Sequence, residues 1–289
     1  MSTIKKILKP IVQKAYKHKA ESKLSTLRKI QDKSSDKIAN AIYEALKNKI
    51  TTSEIEWIDK IERKRKSLNN SSEHILLTDY GAGDADDSRT ESEMNKGIFI
   101  EKTVGEVCLA ASKPYFWSIL LFKLVKEFKP SVCIELGTCL GVSGAFQAAS
   151  LKLNGKGKLI TMEGAEELAA MSKNNFHELG LDIVQVIQGK FQDNLDKVLE
   201  ENKPIDYAFI DGHHDEHATI SYFEQFIPYL SEKSIMVFDD ISWSEGMRRA
   251  WNKISEDENV KIAVDLRAIG IIVLDSNLSE KHKIQIPMY

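Results

Sequence analysis

Acidic and imidazole side chains follow two apolar segments in the second half of the chain. They are Asp211, His213, His214, Asp239 and Asp240. Two or three converging carboxylates can hold Mg²⁺ or a similar divalent ion, and a bound ion lowers the pKa of a coordinated hydroxyl. A histidine titrates near neutral pH and can take the released proton. We therefore predict a metal site at Asp211, Asp239 and Asp240, with His214 favoured as the catalytic base and His213 kept beside it.

A less specific interpretation of the same residues is structural. Asp211 could cap the helix that follows it, and the paired aspartates could end a strand at a solvated edge of a sheet. Either histidine could also be a metal ligand or an orienting group instead of a base. These alternatives stay open at the level of the sequence.

A glycine-containing turn forms a second candidate site. Glu135 precedes Gly137, Thr138 and Gly141 in an E-x-G-x-x-x-G pattern that leads from a strand into a helix. The glycines allow positive φ and close approach to a ligand. A carboxylate ahead of the turn would repel a pyrophosphate, whereas it suits the ammonium and sulfonium of S-adenosylmethionine. We predict that this turn binds that cofactor, and the missing G-x-G-x-x-G pattern argues against a dehydrogenase.

Two further strand ends belong to the same predicted cofactor site. Glu163 follows the next strand, roughly 20 residues past the turn, where an acid can accept hydrogen bonds from both ribose hydroxyls. Gly189 follows the third strand, where backbone amides and an apolar wall could hold an adenine ring, although a plain turn glycine is an equal alternative.

Regular alternation of strands and helices must position these residues. Helices are predicted near 114–128, 143–153, 166–179, 192–201, 216–229 and 244–255, and strands near 131–135, 158–162, 183–188, 205–210, 234–239, 260–266 and 269–274. This pattern predicts an α/β fold with a Rossmann-like, doubly wound, mostly parallel seven-stranded sheet. Because no helix separates the last two strands, they should form an antiparallel hairpin at one edge.

The beginning of the chain differs from the rest in charge. Residues 1–70 carry a balance of +10, whereas the remainder carries −13. We predict a basic helical N-terminal extension at 1–70 with a break near Pro10, a polar linker or lid at 71–112, and a catalytic domain at 113–289. The extension could pack on the domain or on a second subunit, giving a homodimer. A peripheral membrane contact is the alternative, and the acidic body argues against nucleic acid as a partner.

The stretch from about 110 to 275 resembles class I S-adenosylmethionine-dependent methyltransferases, and among them the catechol- and caffeoyl-CoA-like O-methyltransferases. The resemblance lies in Ala111-Ser112-Lys113-Pro114, in Ile134-Glu135-Leu136-Gly137-Thr138, and in the acids after the fourth and fifth strands. It implies cofactor contacts at Glu135, Gly137, Gly141 and Glu163, and an approach of the segment containing Ser112 to the methionine end of the cofactor. It also implies metal ligands at positions matching Asp211, Asp239 and Asp240, with Asp211 beside the sulfonium.

The sequence thus predicts divalent-metal-assisted O-methylation of a small hydroxylated acceptor. The alternatives are a metal-independent N- or O-methyltransferase acting on a peptide, sugar or RNA acceptor, and a non-catalytic cofactor-binding module. Three cysteines without ligand-like pairing, and the absence of a secretion signal, favour the cytoplasm. The aromatic side chains of Tyr115, Phe116, Trp117 and Trp243 are candidates for the acceptor pocket.

Overall fold

The computed structural model describes residues 19–80 and 96–288. An eight-stranded sheet forms the centre, in the order β10-β8-β9-β7-β6-β3-β4-β5. Its strands are β3 (Val132–Leu136), β4 (Lys158–Glu163), β5 (Val184–Gln188), β6 (Ile205–Ile210), β7 (Leu230–Phe238), β8 (Val260–Asp265), β9 (Gly270–Asp275) and β10 (His282–Gln285). Strand β9 runs antiparallel to both neighbours, and the other pairs are parallel.

Helices cover the sheet on both faces, as βαβ crossovers require. They are α1 (19–28), α2 (Lys33–Lys47), α3 (Thr52–Asn69), α4 (Val104–Ala111), α5 (Tyr115–Phe128), α6 (Val142–Asn154), α7 (Glu166–Glu178), α8 (Phe191–Asn202), α9 (Glu216–Phe226) and α10 (Glu245–Glu256), with a 3₁₀ turn at Ile227–Tyr229. Two buried apolar clusters lie between these helices and the two sheet faces. The reversal of strand order beside β3 places a crevice at the carboxyl ends of β3 and β6.

The predicted fold class is confirmed, with one strand added. The short strand β10 pairs parallel with β8, so the antiparallel β8–β9 pair is not the outermost pair of the sheet. Sequence reasoning missed β10 because it is four residues long and its burial alternates between partial and exposed, which is a weak hydrophobic signal.

The described part of the N-terminal extension is helical, as predicted, and it packs on the sheet's helical layer. The N–H groups of Ser34 and Ser35 donate to the Asp32 side chain at the start of α2, a standard N-cap. The Lys123 ammonium on α5 is 1% exposed and contacts Glu44 at 2.8 Å and Glu54 at 2.9 Å. This buried ion triad joins α2 and α3 to the core. The predicted break at Pro10 lies outside the described residues.

The segment between the extension and the core contains more structure than a polar linker. Strands β1 (His74–Asp79) and β2 (Ile98–Thr103) form an antiparallel pair, and α4 follows directly. Residues 81–95 of the predicted polar linker or lid lie outside the described residues. The predicted boundaries at 70 and 112 stay predictions.

Within residues 19–80 and 96–288, none of the individual helices combines the length and the apolar composition that a membrane-spanning helix needs. Helices α4 and α5 taken together reach the length and apolar composition of a membrane span, but they are bent by 67° at the break between them. Residues 118–125 of α5 are buried in the core.

Candidate active site

A cavity of 420 Å³ opens at the carboxyl ends of β3, β4 and β6. Its size falls within the range of small-ligand sites, about 300–1,000 Å³. The wall opposite the sheet comes from β1, β2 and α4, including Leu77 and Ile100, and from Tyr80, which directly follows β1. The segment 71–112 therefore contributes directly to the site.

The glycine turn forms the floor of the cavity. Gly137 has φ +101°, and a Cβ atom there would lie 2.0 Å from the carbonyl oxygen of Asp211, so only glycine fits. Gly137 and Thr138 line the cavity, and the Thr138 hydroxyl lies 2.6 Å from that of Thr161. Gly141 has φ +83° and lies behind them, against the ring of Phe176.

Glu135 lies below this turn and outside the cavity wall. Its fully buried carboxyl accepts hydrogen bonds from Ser143 at 2.7 Å, Gln147 at 2.8 Å and Thr161 at 2.7 Å. Burial raises the pKa of this carboxyl to about 7, although the three hydrogen bonds oppose the rise. This position makes Glu135 a support that joins β3, β4 and α6 beneath the turn; its predicted direct cofactor contact stays a prediction.

Glu163 lines the cavity at the end of β4. Its Oε2 atom accepts the N–H of Cys139 at 2.7 Å, and its Oε1 atom accepts the N–H of Ala165 at 2.9 Å. Burial raises the pKa of this carboxyl, against the opposing effect of these N–H groups. Each carboxylate oxygen can accept a second hydrogen bond, so the pair of oxygens suits a ribose diol.

The two remaining predicted cofactor contacts are Gly189 and Ser112. Gly189, with φ +130°, donates its N–H to the carbonyl of Glu163 at 2.8 Å. Its neighbours Lys190 and Phe191 line the cavity, and the predicted cofactor contact of Gly189 stays a prediction. Ser112 lines the cavity, with its hydroxyl 3.3 Å from the sulfur of Cys108.

The acidic cluster lies at the ends of the adjacent strands β6 and β7. The carboxylates of Asp211 and Asp239 are 11% and 3% exposed. The imidazole Nε2 of His214 lies 3.3 Å from Asp211 Oδ1 and 3.8 Å from Asp240 Oδ2. The helix-cap alternative for Asp211 is wrong, because Asp215 caps α9 by accepting the N–H groups of residues 217 and 218.

Lys113 is the residue of this cluster that sequence reasoning missed. Its ammonium contacts Asp239 and lies 3.2 Å from Asp211 Oδ1. Burial raises the pKa of Asp211, but the Lys113 charge and the His214 hydrogen bond outweigh burial and lower it. Lys113 follows Ser112 in a segment that sequence analysis had singled out, but spacing alone does not reveal which strand ends its side chain reaches.

The two histidines have different surroundings. Burial lowers the pKa of His214, but the hydrogen bond to Asp211 and the charges of Asp211 and Asp240 outweigh burial and raise it. The Nδ1 atom of His213 lies 2.5 Å from the hydroxyl of Tyr222, on α9. Both imidazoles line the cavity, and His214 is the one joined to the acids.

Three side chains of this cluster could bind a divalent ion, but a neighbouring ammonium opposes it. Ligand atoms of Asp211, His214 and Asp239 lie within 4.8 Å of one another, so His214 stands where Asp240 was predicted. Carboxylate and imidazole ligands suit a divalent ion. The Lys113 ammonium, however, already contacts two of the three donors. With Lys113 in this place the group does not fit a resident divalent ion, and the predicted metal site stays a prediction.

Of the four aromatic candidates for the acceptor pocket, one lines the cavity and three do not. Trp243 lines the cavity and is 46% exposed, with its ring 6.5 Å from that of His214. Phe116 and Trp117 pack against the core, and the Tyr115 hydroxyl donates to Asn48 at 3.2 Å. Tyr80, which was not predicted, packs over Gly164, where a Cβ atom would lie 3.1 Å from its ring.

A family model described as a methyltransferase domain matches residues 134–241. The match spans 108 of the 289 residues. The match includes the glycine turn, Glu163 and the acids after β6 and β7, whereas Lys113 lies outside it. No curated protein matches the sequence at a significant level.

Solved structures resemble the chain across this matched stretch and its flanks. An O-methyltransferase from Bacillus cereus in complex with SAH is 22% identical, with 58% of this chain and 84% of that chain covered and a TM-score of 0.50. A SAH-bound methyltransferase from Podospora anserina is 15% identical, with 57% and 81% covered and a TM-score of 0.51. An O-methyltransferase from Streptomyces achromogenes in complex with SAM is 18% identical, with 58% and 83% covered and a TM-score of 0.50. The predicted class I methyltransferase fold is confirmed.

Proposed function

We propose that the chain transfers the methyl group of S-adenosylmethionine to a hydroxyl oxygen of a small acceptor. The observation that carries this proposal is the sharing of one cavity by Glu163, at the end of β4, and the cluster of Asp211, His214 and Lys113. The first suits a ribose diol, and the second suits a hydroxyl that must lose a proton. Similar structures that hold SAH or SAM support the same cofactor.

The chain's own residues have distinct roles in this proposal. S-adenosylmethionine supplies a methyl group on a sulfonium, which is already a good leaving group. Glu163 accepts hydrogen bonds from the ribose, while Gly137 and Thr138 let the cofactor approach the end of β3. The carboxylate of Asp211 lies at the same end of the sheet and favours positive charge nearby. Holding donor and acceptor in line supplies much of the rate enhancement.

The acceptor oxygen needs a base, and His214 is suited to that role. It lies in the cavity beside Asp211, whose carboxylate orients the imidazole and stabilises its protonated form. An oxygen acceptor is favoured over nitrogen because a hydroxyl needs both deprotonation and charge stabilisation, which a neutral amine does not. The apolar wall formed by Leu77, Ile100 and Trp243 suits an acceptor with an aromatic or other apolar face.

Divalent-metal assistance is the second candidate, supported by the proximity of Asp211, His214 and Asp239. It requires the Lys113 ammonium to leave those carboxylates, so no step is assigned to a metal here. The two candidates differ in their response to a chelator.

The proposed function is tested by titrating S-adenosylmethionine into the full chain by calorimetry, followed by turnover with a panel of phenolic, sugar and amine acceptors. Formation of S-adenosylhomocysteine is measured with EDTA and again with Mg²⁺. Saturable cofactor binding with turnover of hydroxylated acceptors is expected. A chain that does not bind S-adenosylmethionine would contradict the proposal, and exclusive turnover of amines would correct its acceptor class.

A further inference from the structure

The acid pair at the ends of β6 and β7 needs a compensating cation. The N–H of Asp211 donates to the carbonyl of Leu136, and the N–H of Asp239 donates to that of Ile210, both at 2.9 Å. These bonds hold the two carboxylates side by side at adjacent strand ends, where both are largely buried. Two buried like charges are strongly unfavourable unless a positive charge lies between them.

Lys113 supplies that charge from the loop between α4 and α5. Its ammonium reaches both carboxylates, its side chain is 13% exposed, and it lines the cavity. An ammonium has three N–H donors. Two are accounted for by Asp211 and Asp239, and the third has no protein acceptor within residues 19–80 and 96–288. One donor therefore remains for a ligand in the cavity.

The backbone of Lys113 is itself held by the N-terminal extension. Arg65, on α3, is 9% exposed and donates from Nη1 to the carbonyl of Lys113 at 2.7 Å and from Nη2 to the hydroxyl of Ser118 at 2.9 Å. The Ser118 hydroxyl also donates to the Lys113 carbonyl, at 3.2 Å. The guanidinium lies over the ring of Phe146, 5.6 Å from its centroid. Because two hydrogen bonds and one ring contact hold the planar Arg65 guanidinium, it has little freedom to move.

We propose that the Lys113 ammonium takes the place of a divalent cation in this methyltransferase and donates its remaining N–H to the acceptor oxygen, and that Arg65 positions Lys113. This inference rests on the proposed methyl transfer. The acceptor hydroxyl gives its proton to His214 while its oxygen forms a bond to the methyl carbon. The carbon–sulfur bond breaks with its electron pair remaining on sulfur, so a sulfonium becomes a thioether. Lys113 stabilises the negative charge that develops on the oxygen and keeps its own protons.

The same geometry predicts competition between Lys113 and metal ions. A divalent ion bound by Asp211 and Asp239 would lie within a few ångströms of the ammonium, where repulsion between the two cations is strong. Removing the ammonium should therefore create a metal site that the natural chain lacks. The opposite expectation, a natural metal site that is indifferent to Lys113, follows from the metal-assisted alternative.

Titration of the full chain with Mn²⁺, followed by calorimetry and by electron paramagnetic resonance of the free ion, tests this competition. The natural chain is expected to bind no stoichiometric Mn²⁺, and the Lys113→Met variant is expected to bind one ion. Lys102→Met is the matched control, because Lys102 lines the same cavity without contacting either aspartate; it should gain no site. Stoichiometric Mn²⁺ binding by the natural chain, lost on Asp239→Asn substitution, would overturn the proposal.

Turnover gives a second measurement on the same samples. The natural chain should keep its activity in EDTA, and Lys113→Met should lower kcat by roughly 100-fold, as the loss of a charge-stabilising donor does, with S-adenosylmethionine affinity nearly unchanged. Loss of natural activity in EDTA would overturn the proposal. If the natural chain does not bind S-adenosylmethionine at all, the proposed function has failed, and that failure is visible in a separate titration. Should Lys113→Met fail to fold, Lys113→Met/Asp239→Asn lowers the buried charge and should retain S-adenosylmethionine binding with the same loss of kcat.

Arg65 is tested as a positioning residue by readouts other than stability. Arg65→Met should lower kcat by about 10-fold with little change in KM and should allow weak Mn²⁺ binding, since Lys113 is released. Arg65→Lys should partly restore kcat. Lys64→Met, which removes the neighbouring surface pair with Glu178, is the control and should change neither quantity. A decrease in Tm alone, without Mn²⁺ binding or loss of kcat, would show that Arg65 is only structural; Ser118→Ala gives the same test if Arg65→Met does not fold.

Discussion

The carboxylate of Glu163 accepts the N–H of Cys139 at 2.7 Å, and this bond ties the end of β4 to the glycine turn after β3. The second carboxylate oxygen accepts the N–H of Ala165, at the start of α7. One side chain thus fixes two neighbouring loops of the cavity wall and presents its remaining acceptor sites to a ligand.

Glu163→Gln should weaken S-adenosylmethionine binding by about 10- to 100-fold, because hydrogen bonds to a charged group are worth about 1.5–3 kcal/mol. The glutamine NH₂ group would also face a backbone N–H, and two donors cannot form a hydrogen bond with each other. Isothermal titration calorimetry measures the change. Glu166→Gln, three residues later and exposed, is the control and should bind normally. Equal affinities for the two variants would contradict the role assigned to Glu163.

Activity should rise with pH as His214 loses its proton. Because the pKa of His214 is raised, the rise in kcat/KM should lie above the ordinary range for histidine, near 6.5. Asp240→Asn removes one of the charges that raise this pKa, so the rise should move to lower pH. The pH profile of kcat/KM for both proteins checks the direction of the shift.

The base itself is tested by substitution. His214→Gln should lower kcat by roughly 100- to 10,000-fold, the usual contribution of a general base. His217→Gln is the matched control, since His217 lies on the exposed side of α9 and should leave kcat unchanged. A His213→Gln variant that loses more activity than His214→Gln would transfer the role to His213.

Stability should depend on pH through Glu135. The pKa of its carboxyl is about 7 in the folded protein against an ordinary value of 4.5, so the unfolded chain releases this proton first. The stability that the protonated carboxyl contributes is complete below pH 4.5 and is lost as pH rises to 7, by at most about 3 kcal/mol. Urea unfolding across this range should therefore show a steeper decrease for the natural chain than for Glu135→Gln. Parallel curves would contradict the raised pKa.

The buried ion triad should hold the N-terminal extension in place. Lys123→Met leaves the Glu54 carboxylate buried without its cation, and loss of one partner of a buried pair costs about 3–5 kcal/mol. Lys123→Met/Glu54→Gln should recover most of the free energy of unfolding, because the buried Glu54 charge is removed as well and the remaining Glu44 carboxylate, which is 34% exposed, is still reached by water. Chemical denaturation of both variants measures the difference. A double variant as unstable as the single one would show that lost packing, and not charge, is responsible.

Most of the βα alternation could be predicted from the sequence. The predicted strand 205–210 matches β6 at both ends, and the helix predicted at 166–179 differs from α7 by one residue. Long buried strands and regularly spaced helices carry strong periodic signals. Strand β7 begins four residues before its predicted start because its first residues are partly exposed.

The parts that sequence could not reveal depend on contacts between distant segments. Nothing in the spacing of Lys113 indicates that its ammonium reaches Asp211 and Asp239. Arg65 lies in the basic run Arg63-Lys64-Arg65-Lys66, and the run alone does not distinguish its buried guanidinium from its neighbours. The hairpin β1–β2 escaped prediction because its outer face exposes apolar side chains, Phe99 at 74% and Leu76 at 53%. The homodimer, the cytoplasmic location and the membrane contact stay predictions.

The packing of α2 and α3 on the core has a consequence for how the chain can be divided. Residues 134–241 carry the family match, yet the buried charge of Lys123 and the fork of Arg65 are satisfied only across the boundary between the extension and the core. A fragment that begins near residue 113 would expose apolar helix faces, and the Lys123 ammonium would lie among them without its carboxylate partners. We therefore expect the smallest unit that folds by itself to extend back at least to α2, with the N-terminal helices unfolding together with the central sheet.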